Sequence, residues 1–360
     1  MPGHEPGPHH RFLRPRADPL GEDLPTPALS SRQRAFLLVL FAPFLAELVS
    51  GSTPPQAWIL PPVVLVFMAI YGVAALVIRE FSLRIQGGPA TVLILGLAFG
   101  VVNEGMAAHS LFNPSWPDVG VLGSYGRWGG VNWLWAEWVV PFHAVWSISF
   151  PVFLVGQFWP EARSTRWLSD RWLAALSPVP VVVAAGSGFY VGEYPLTALA
   201  WAAMFAVVAI LVLAAWRIGP KLSRWRVWPS ATPSTGLGVA VAAAFFLGGQ
   251  VGTWQTPRLG PYPEVGFGVL LALFVALAAA ATTFDPSTVK GRKAAFAGVL
   301  TGIGFYTALS PLSEFVLGRV ALVPIDVAVW IALYLLYRRR TSELPERTDL
   351  PPPPPPGAVC

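Results

Sequence analysis

Apolar positions along this chain run in long unbroken blocks rather than in strand-like alternation, and the blocks are separated by short polar connections. A helix needs about 20 apolar residues to cross the hydrocarbon core of a bilayer. Ten blocks approach that length, at roughly 34–50, 57–78, 90–111, 132–158, 173–191, 195–216, 236–254, 264–283, 295–316 and 321–337. The pattern predicts an all-α, polytopic transmembrane helix bundle of about ten spans. Pro141 and Pro151 fall inside the long fourth block and predict a kink or break there. Pro43 interrupts the short first block, and the prolines and small residues of the fifth and ninth allow half-helices in place of full spans.

The polar connections carry a second signal. With ten spans, the two termini and the even-numbered gaps lie on one side, and that side holds 21 of the 24 basic residues. Only Arg127, Arg258 and Arg319 fall in the odd-numbered gaps. Cytoplasmic loops are enriched in Lys and Arg, so both termini are expected in the cytoplasm of a multi-pass protein of the cell inner membrane. Residues 1–33 are expected to form a disordered cytoplasmic segment, residues 34–338 the membrane domain, and residues 339–360 a disordered Pro-rich cytoplasmic tail. The first 30 residues lack an apolar core and do not read as a signal peptide.

Composition agrees with the pattern. The chain is 54% hydrophobic, 12% charged and has a mean hydropathy of +0.56. Soluble domains carry about 25% charged residues. Sixteen Trp and 22 Phe suit rings placed at a lipid–water boundary. The net charge of +5 is spread over short loops, which speaks for orientation and membrane lipids as partners and not for nucleic acid. The one cysteine, Cys360, cannot form an internal disulfide.

Against this background the stretch "FGVVNEGMAAHSLFNPSWPD", residues 99–118, stands out for placing Asn103, Glu104 and His109 within or beside an apolar helix. The next span adds Asn132, Glu137, His143 and Ser147, and the first ends near Glu47. An ionised carboxylate in lipid costs several kcal/mol, so each of these groups needs a partner, water or the protein interior. A Glu–His pair can exchange a proton near neutral pH, and such groups can also hold a divalent metal. Gly96, Gly100, Glu104 and Ala108 recur every four residues, which puts the glutamate on a small-residue face open to close helix approach. Ala136, Val140, His143 and Ser147 form a comparable face, so Glu104 is expected against His143.

Glu104, His143, Glu47 and Glu137 are therefore the candidate catalytic residues, and Asn103, His109, Arg127, Asn132 and Ser147 the candidate substrate-binding residues. The structural readings stand beside them. Glu104 and His143 would fix helix packing, Glu47 and Glu137 would be solvated helix-end residues, His109 would sit at the interface, and Gln250 and Glu314 would be structural. "REFSLR", residues 79–84, reads as an inner-face anchor. The loop "NPSWPDVGVLGSYGRWGGVNWLWAEW" reads as an aromatic cap or belt in which Arg127 would pair with Asp118 or Glu137, or meet an anionic substrate.

"VNEGMAAHS" and "PFHAVWSIS" resemble elements of the CPBP intramembrane protease superfamily, over about residues 95–150. The resemblance implies peptide-bond cleavage within the membrane, with Glu104 holding or activating a water and His143 assisting. The family's paired-glutamate motif, EExxxR, has Asn103 and Ala108 here in place of its first glutamate and its arginine, and its FxxxH element has Val139 before His143. No histidine follows His143 to supply the family's later element. HExxH, GxSxG and P-loop patterns are absent. Neither a cofactor nor a metal is assigned. Three functional classes follow: an intramembrane hydrolase or transferase acting on a membrane-embedded or lipid-linked substrate, a proton-coupled secondary transporter, and a non-catalytic assembly protein.

Overall fold

The computed structural model describes residues 29–160, 163–191, 194–225, 232–284, 288–317 and 323–342. The two expected disordered termini lie largely outside these residues, as do Cys360 and the Glu314 side chain. Among the described residues the chain is all-α apart from one short hairpin, Arg127–Trp128 (β1) against Val131–Asn132 (β2), with Arg127 opposite Asn132.

Among the described residues, seven helices are long and apolar enough to cross a membrane: Pro61–Arg84 (α2), Gly88–Ala107 (α3), Trp133–Phe158 (α4), Asp170–Tyr190 (α5), Ala198–Arg217 (α6), Thr235–Leu259 (α7) and Pro263–Ala281 (α8). They match the second to eighth expected spans. The other three are helical as well. α1 runs over Ser31–Pro43 and continues through Phe44–Val49, but carries Arg32, Arg34 and Glu47. Val289–Leu317 (α9) and Val323–Ser342 (α10) complete the set.

Local chemistry explains the helix starts. The side chains of Asn132, Ser169, Thr197 and Ser234 accept from the backbone N–H three residues on and cap α4, α5, α6 and α7. Prolines occupy the first positions of α2, α3 and α8, where their missing N–H costs nothing.

The most enclosed spans are α3 and α4, with 61% and 56% of their apolar windows buried, whereas α6 and α8 are each only 11% buried and face outward. α4 lies between two apolar clusters. One gathers Trp138, Trp146 and Phe246, and the other Leu38, Tyr71 and Met106. The α3–α4 contact is close because glycine permits it. A Cβ on Gly96 would come 2.7 Å from Ala144 Cα, and one on Gly100 would come 2.7 Å from the Val140 carbonyl oxygen.

The "REFSLR" segment is more than a solvated anchor. Glu80 is fully buried and accepts from Arg79, from Arg84 at 2.9 Å and from the backbone N–H groups of Trp167 (3.0 Å) and Leu168 (3.2 Å). Arg79 donates to the carbonyls of Arg163 and Thr165, with its guanidinium 3.4 Å from the Trp167 ring centroid. Arg84 also pairs with Asp170 at 2.8 Å. The α2 end thereby clasps the loop between α4 and α5. Arg163 in that loop has its pKa lowered by burial and then by Arg292.

Candidate functional site

Five of the helices contain a π-helical turn: Phe44–Val49 in α1, Met68–Gly72 in α2, Val102–Ala107 in α3, His143–Ser149 in α4 and Ala244–Val251 in α7. Such turns insert a residue into the helix and recur at functional sites. Two have a visible cause. Pro43 directly precedes the first, and Pro141 lies two residues before that of α4. Each proline lacks the N–H its helix would use.

Four of these turns converge on one polar cluster. Glu104 and His143 are buried, 7% and 5% exposed, with His143 Nε2 2.7 Å from Glu104 Oε1. Asn103 Nδ2 lies 3.1 Å from the same oxygen and 3.3 Å from Nε2. Ser110 donates to Glu104 Oε2 and accepts from Trp135 Nε1 at 3.0 Å. On the far side of the imidazole, Nδ1 lies 2.8 Å from Ser147 Oγ, and Ser147 is fully buried. The short contact to the carboxylate assigns the Nε2 proton to the Glu104 side, which leaves Nδ1 to accept from the Ser147 hydroxyl. The imidazole is thus held at both nitrogens, by a carboxylate on α3 and a hydroxyl one turn along α4.

Glu47 adds a second layer. Thr53 donates to its carboxylate, and the Tyr71 hydroxyl is in polar contact with Glu47 and with Asn103. Glu47 lies within electrostatic reach of both His143 and Glu104. The rings of Phe99 and Phe142 stand edge-on to His143, at centroid distances of 5.9 and 5.4 Å. Trp146 Nε1 donates to the Leu45 carbonyl at 2.9 Å and ties α4 to the Glu47 turn.

Of the residues singled out from sequence, Glu47, Asn103, Glu104, His143 and Ser147 come together here. The other four do not. His109 has a left-handed backbone, φ 59°, and its Nδ1 donates to the Tyr194 carbonyl at 2.7 Å, with the ring edge-on to Trp201. Asn132 accepts from Trp135 N–H at 2.9 Å and donates to the Leu122 carbonyl, which seats the start of α4. Arg127 donates to the carbonyls of Phe112 and Gly130 and so braces the hairpin, and burial lowers its pKa. Both Glu137 oxygens are buried without a hydrogen-bond partner among the described residues. Among those residues no group of three or more His, Cys, Asp and Glu side chains is arranged to hold a metal ion.

Sequence reasoning missed Tyr71, Ser110 and Trp135. Tyr71 sits in a plain apolar block, and Ser110 comes after α3 has ended. Trp135 belongs to an aromatic run that reads as an interfacial belt.

The profile of an uncharacterized membrane protein family matches residues 36–341. No curated protein matches the chain, and no solved structure does.

Proposed function

The chain belongs to this uncharacterized membrane protein family, and we propose that it is an intramembrane hydrolase or transferase in which Ser147, His143 and Glu104 act as nucleophile, base and orienting carboxylate on a membrane-embedded or lipid-linked substrate. One observation carries this reading: the His143 ring lies 2.8 Å from a hydroxyl on one side and 2.7 Å from a carboxylate on the other. A nucleophile within hydrogen-bond reach of a base that a third group orients is the arrangement covalent catalysis requires.

In this scheme Ser147 Oγ bonds to the electrophilic carbon of the substrate as Nδ1 takes the hydroxyl proton. Glu104 stabilises the resulting imidazolium through Nε2–H. The proton then passes from Nδ1 to the leaving group as its bond to that carbon breaks. Water or a second acceptor releases the retained group from Oγ and gives a proton to Nδ1, which returns it to Oγ. Asn103 and Ser110 hold the carboxylate in place, and Glu47 with Tyr71 completes the polar wall. The membrane domain has ten spans with both termini in the cytoplasm, as the distribution of basic residues supports, in a bacterial inner membrane.

A serine-reactive fluorophosphonate tests this without knowledge of the substrate. The reagent is expected to label Ser147 in the reconstituted protein, with labelling lost in Ser147→Ala and slowed by about 10²–10⁴-fold in His143→Ala. An unlabelled Ser147 in folded protein overturns the assignment.

The convergence of four π-helical turns on one polar cluster favours a second reading, a proton-coupled permease, since interrupted helices often build transporter sites. Solute uptake driven by a pH gradient, abolished by Glu104→Gln while Ser147→Ala retains it, would select that reading.

A further inference from the structure

A lateral apolar crevice opens between α2, α3, α5 and α6. Its deep part, about 210 Å³, is bounded by Ala74 and Ile78 of α2, Ala98 and Phe99 of α3, and Val181 of α5. Its wider part, about 390 Å³, continues along α6 to Trp216, and the two parts share Phe81 and Val212. α5 breaks where it lines the crevice, with Ser177 and Pro178 between the segments Asp170–Leu176 and Val179–Val191 and Pro180 at the second position of the latter.

The deep end is separated from the polar cluster by one ring. Phe99 forms its wall, and the same ring stands edge-on to Tyr71 at 5.3 Å and to His143 at 5.9 Å. Ala74 lies one turn from Tyr71, and Val102, next to Asn103, also lines it. The wide end lies beside basic residues. Trp216 is followed by Arg217, whose guanidinium carbon is 4.5 Å from the Trp216 ring centroid, with Lys221 one turn beyond.

We propose that this crevice is a binding site for one acyl chain of an anionic glycerophospholipid, with the phosphate at the Arg217 end and the chain running inward to Phe99. Two features commit it to that occupant. The crevice opens on spans only 22% and 11% buried, so bilayer hydrocarbon is its solvent. Arg217 stands over the Trp216 ring at the mouth, and a phosphate there completes the charge match. The inference rests on the proposed catalytic reading and deepens it. A chain seated against Phe99 lies one ring from His143, which makes a lipid-derived substrate the class closest to the cluster.

The test uses the full chain reconstituted in vesicles containing phosphatidylglycerol with a diazirine on one acyl chain. After irradiation the adducts are mapped by peptide mass spectrometry. Adducts are expected at Ala98, Phe99 and Val181 in excess of those at Val269 and Val275 on outward-facing α8. Val208→Trp on outward-facing α6, a substitution that fills the crevice from its lip, is expected to remove the crevice adducts and leave those on α8. Adducts spread evenly over crevice and α8 overturn the proposal. So do crevice adducts obtained with a diazirine polyprenyl phosphate but not with the phospholipid. The readout is independent of catalysis. Crevice adducts in a protein whose Ser147 resists fluorophosphonate would keep the lipid site and remove the enzyme reading. Labelled Ser147 with no crevice enrichment would do the reverse.

Discussion

At the residue scale the decisive fact is that Glu104 and His143 are buried together and mutually satisfied. Removing one partner of a buried hydrogen bond leaves the other unsatisfied and costs about 1–3 kcal/mol, more when that group is charged, whereas removing both partners costs far less. His143→Ala is therefore expected to lower stability by about that amount. Glu104→Gln, which keeps an oxygen for the Ser110 hydroxyl, is expected to cost less. The double substitution Glu104→Gln/His143→Ala is expected to recover part of the loss seen in His143→Ala alone. Thermal unfolding in detergent measures all three, and a double variant no more stable than His143→Ala would show that the pair is not electrostatically coupled. The pair was legible in the sequence because two helical rhythms, the four-residue Gly96–Gly100–Glu104 and the three-then-four Val140–His143–Ser147, each put a polar group on a face suited to close approach. Ser110 was not legible. Its bond to Glu104 arises only after α3 ends and the left-handed backbone of His109 turns the chain back.

At the element scale, two contacts fix how the spans meet. α3 and α4 approach so closely that a single methyl on Gly100 would lie 2.7 Å from a backbone oxygen and 2.9 Å from Val140 Cα, atoms that cannot swing aside. Gly100→Ala is expected to cost about 1–3 kcal/mol through overpacking and to slow Ser147 labelling by separating Glu104 from His143. An unchanged labelling rate together with an unchanged melting temperature would show that the helices have room to spare. The second contact is the Glu80 clasp. Replacing Glu80 with Ala removes the acceptor for the Trp167 and Leu168 amides and the carboxylate that Arg79 and Arg84 share. Hydrogen exchange at those two amides is expected to accelerate, with the amides of α3 unaffected. Equal protection in the variant would assign the loop's order to other contacts. The sequence showed where the helices run, because apolar blocks and capping residues mark them. It did not show the π-helical turns, since an inserted residue leaves the average hydropathy of a span unchanged. Nor did it show that Arg79 and Glu80 are buried, because charged residues at a helix end read as solvated until the loop that covers them is in place.

At the scale of the whole molecule, the number of crossings decides which compartment supplies protons and substrate. Seven helices meet the length and hydropathy of a span among the described residues, while α1, α9 and α10 are helices at the other three expected positions. Seven crossings would place the termini on opposite sides of the membrane, and ten place them together. The charge pattern favours ten, because it leaves only Arg127, Arg258 and Arg319 opposite the remaining 21 basic residues. Moving a charged loop across a bilayer is costly, so this segregation constrains topology independently of hydropathy. Fusions in a bacterial host test it. Green fluorescent protein at either terminus is expected to fluoresce, and alkaline phosphatase inserted at Gly260, between α7 and α8, is expected to be active. Phosphatase activity at the C-terminus would overturn the ten-span topology and leave the seven-span count as the simpler arrangement. With ten spans, the Arg217 mouth of the crevice lies in the cytoplasmic leaflet. The Thr53–Glu47 contact lies toward the outer face, so the crevice mouth and the Glu47 end of the polar cluster lie toward opposite sides of the membrane.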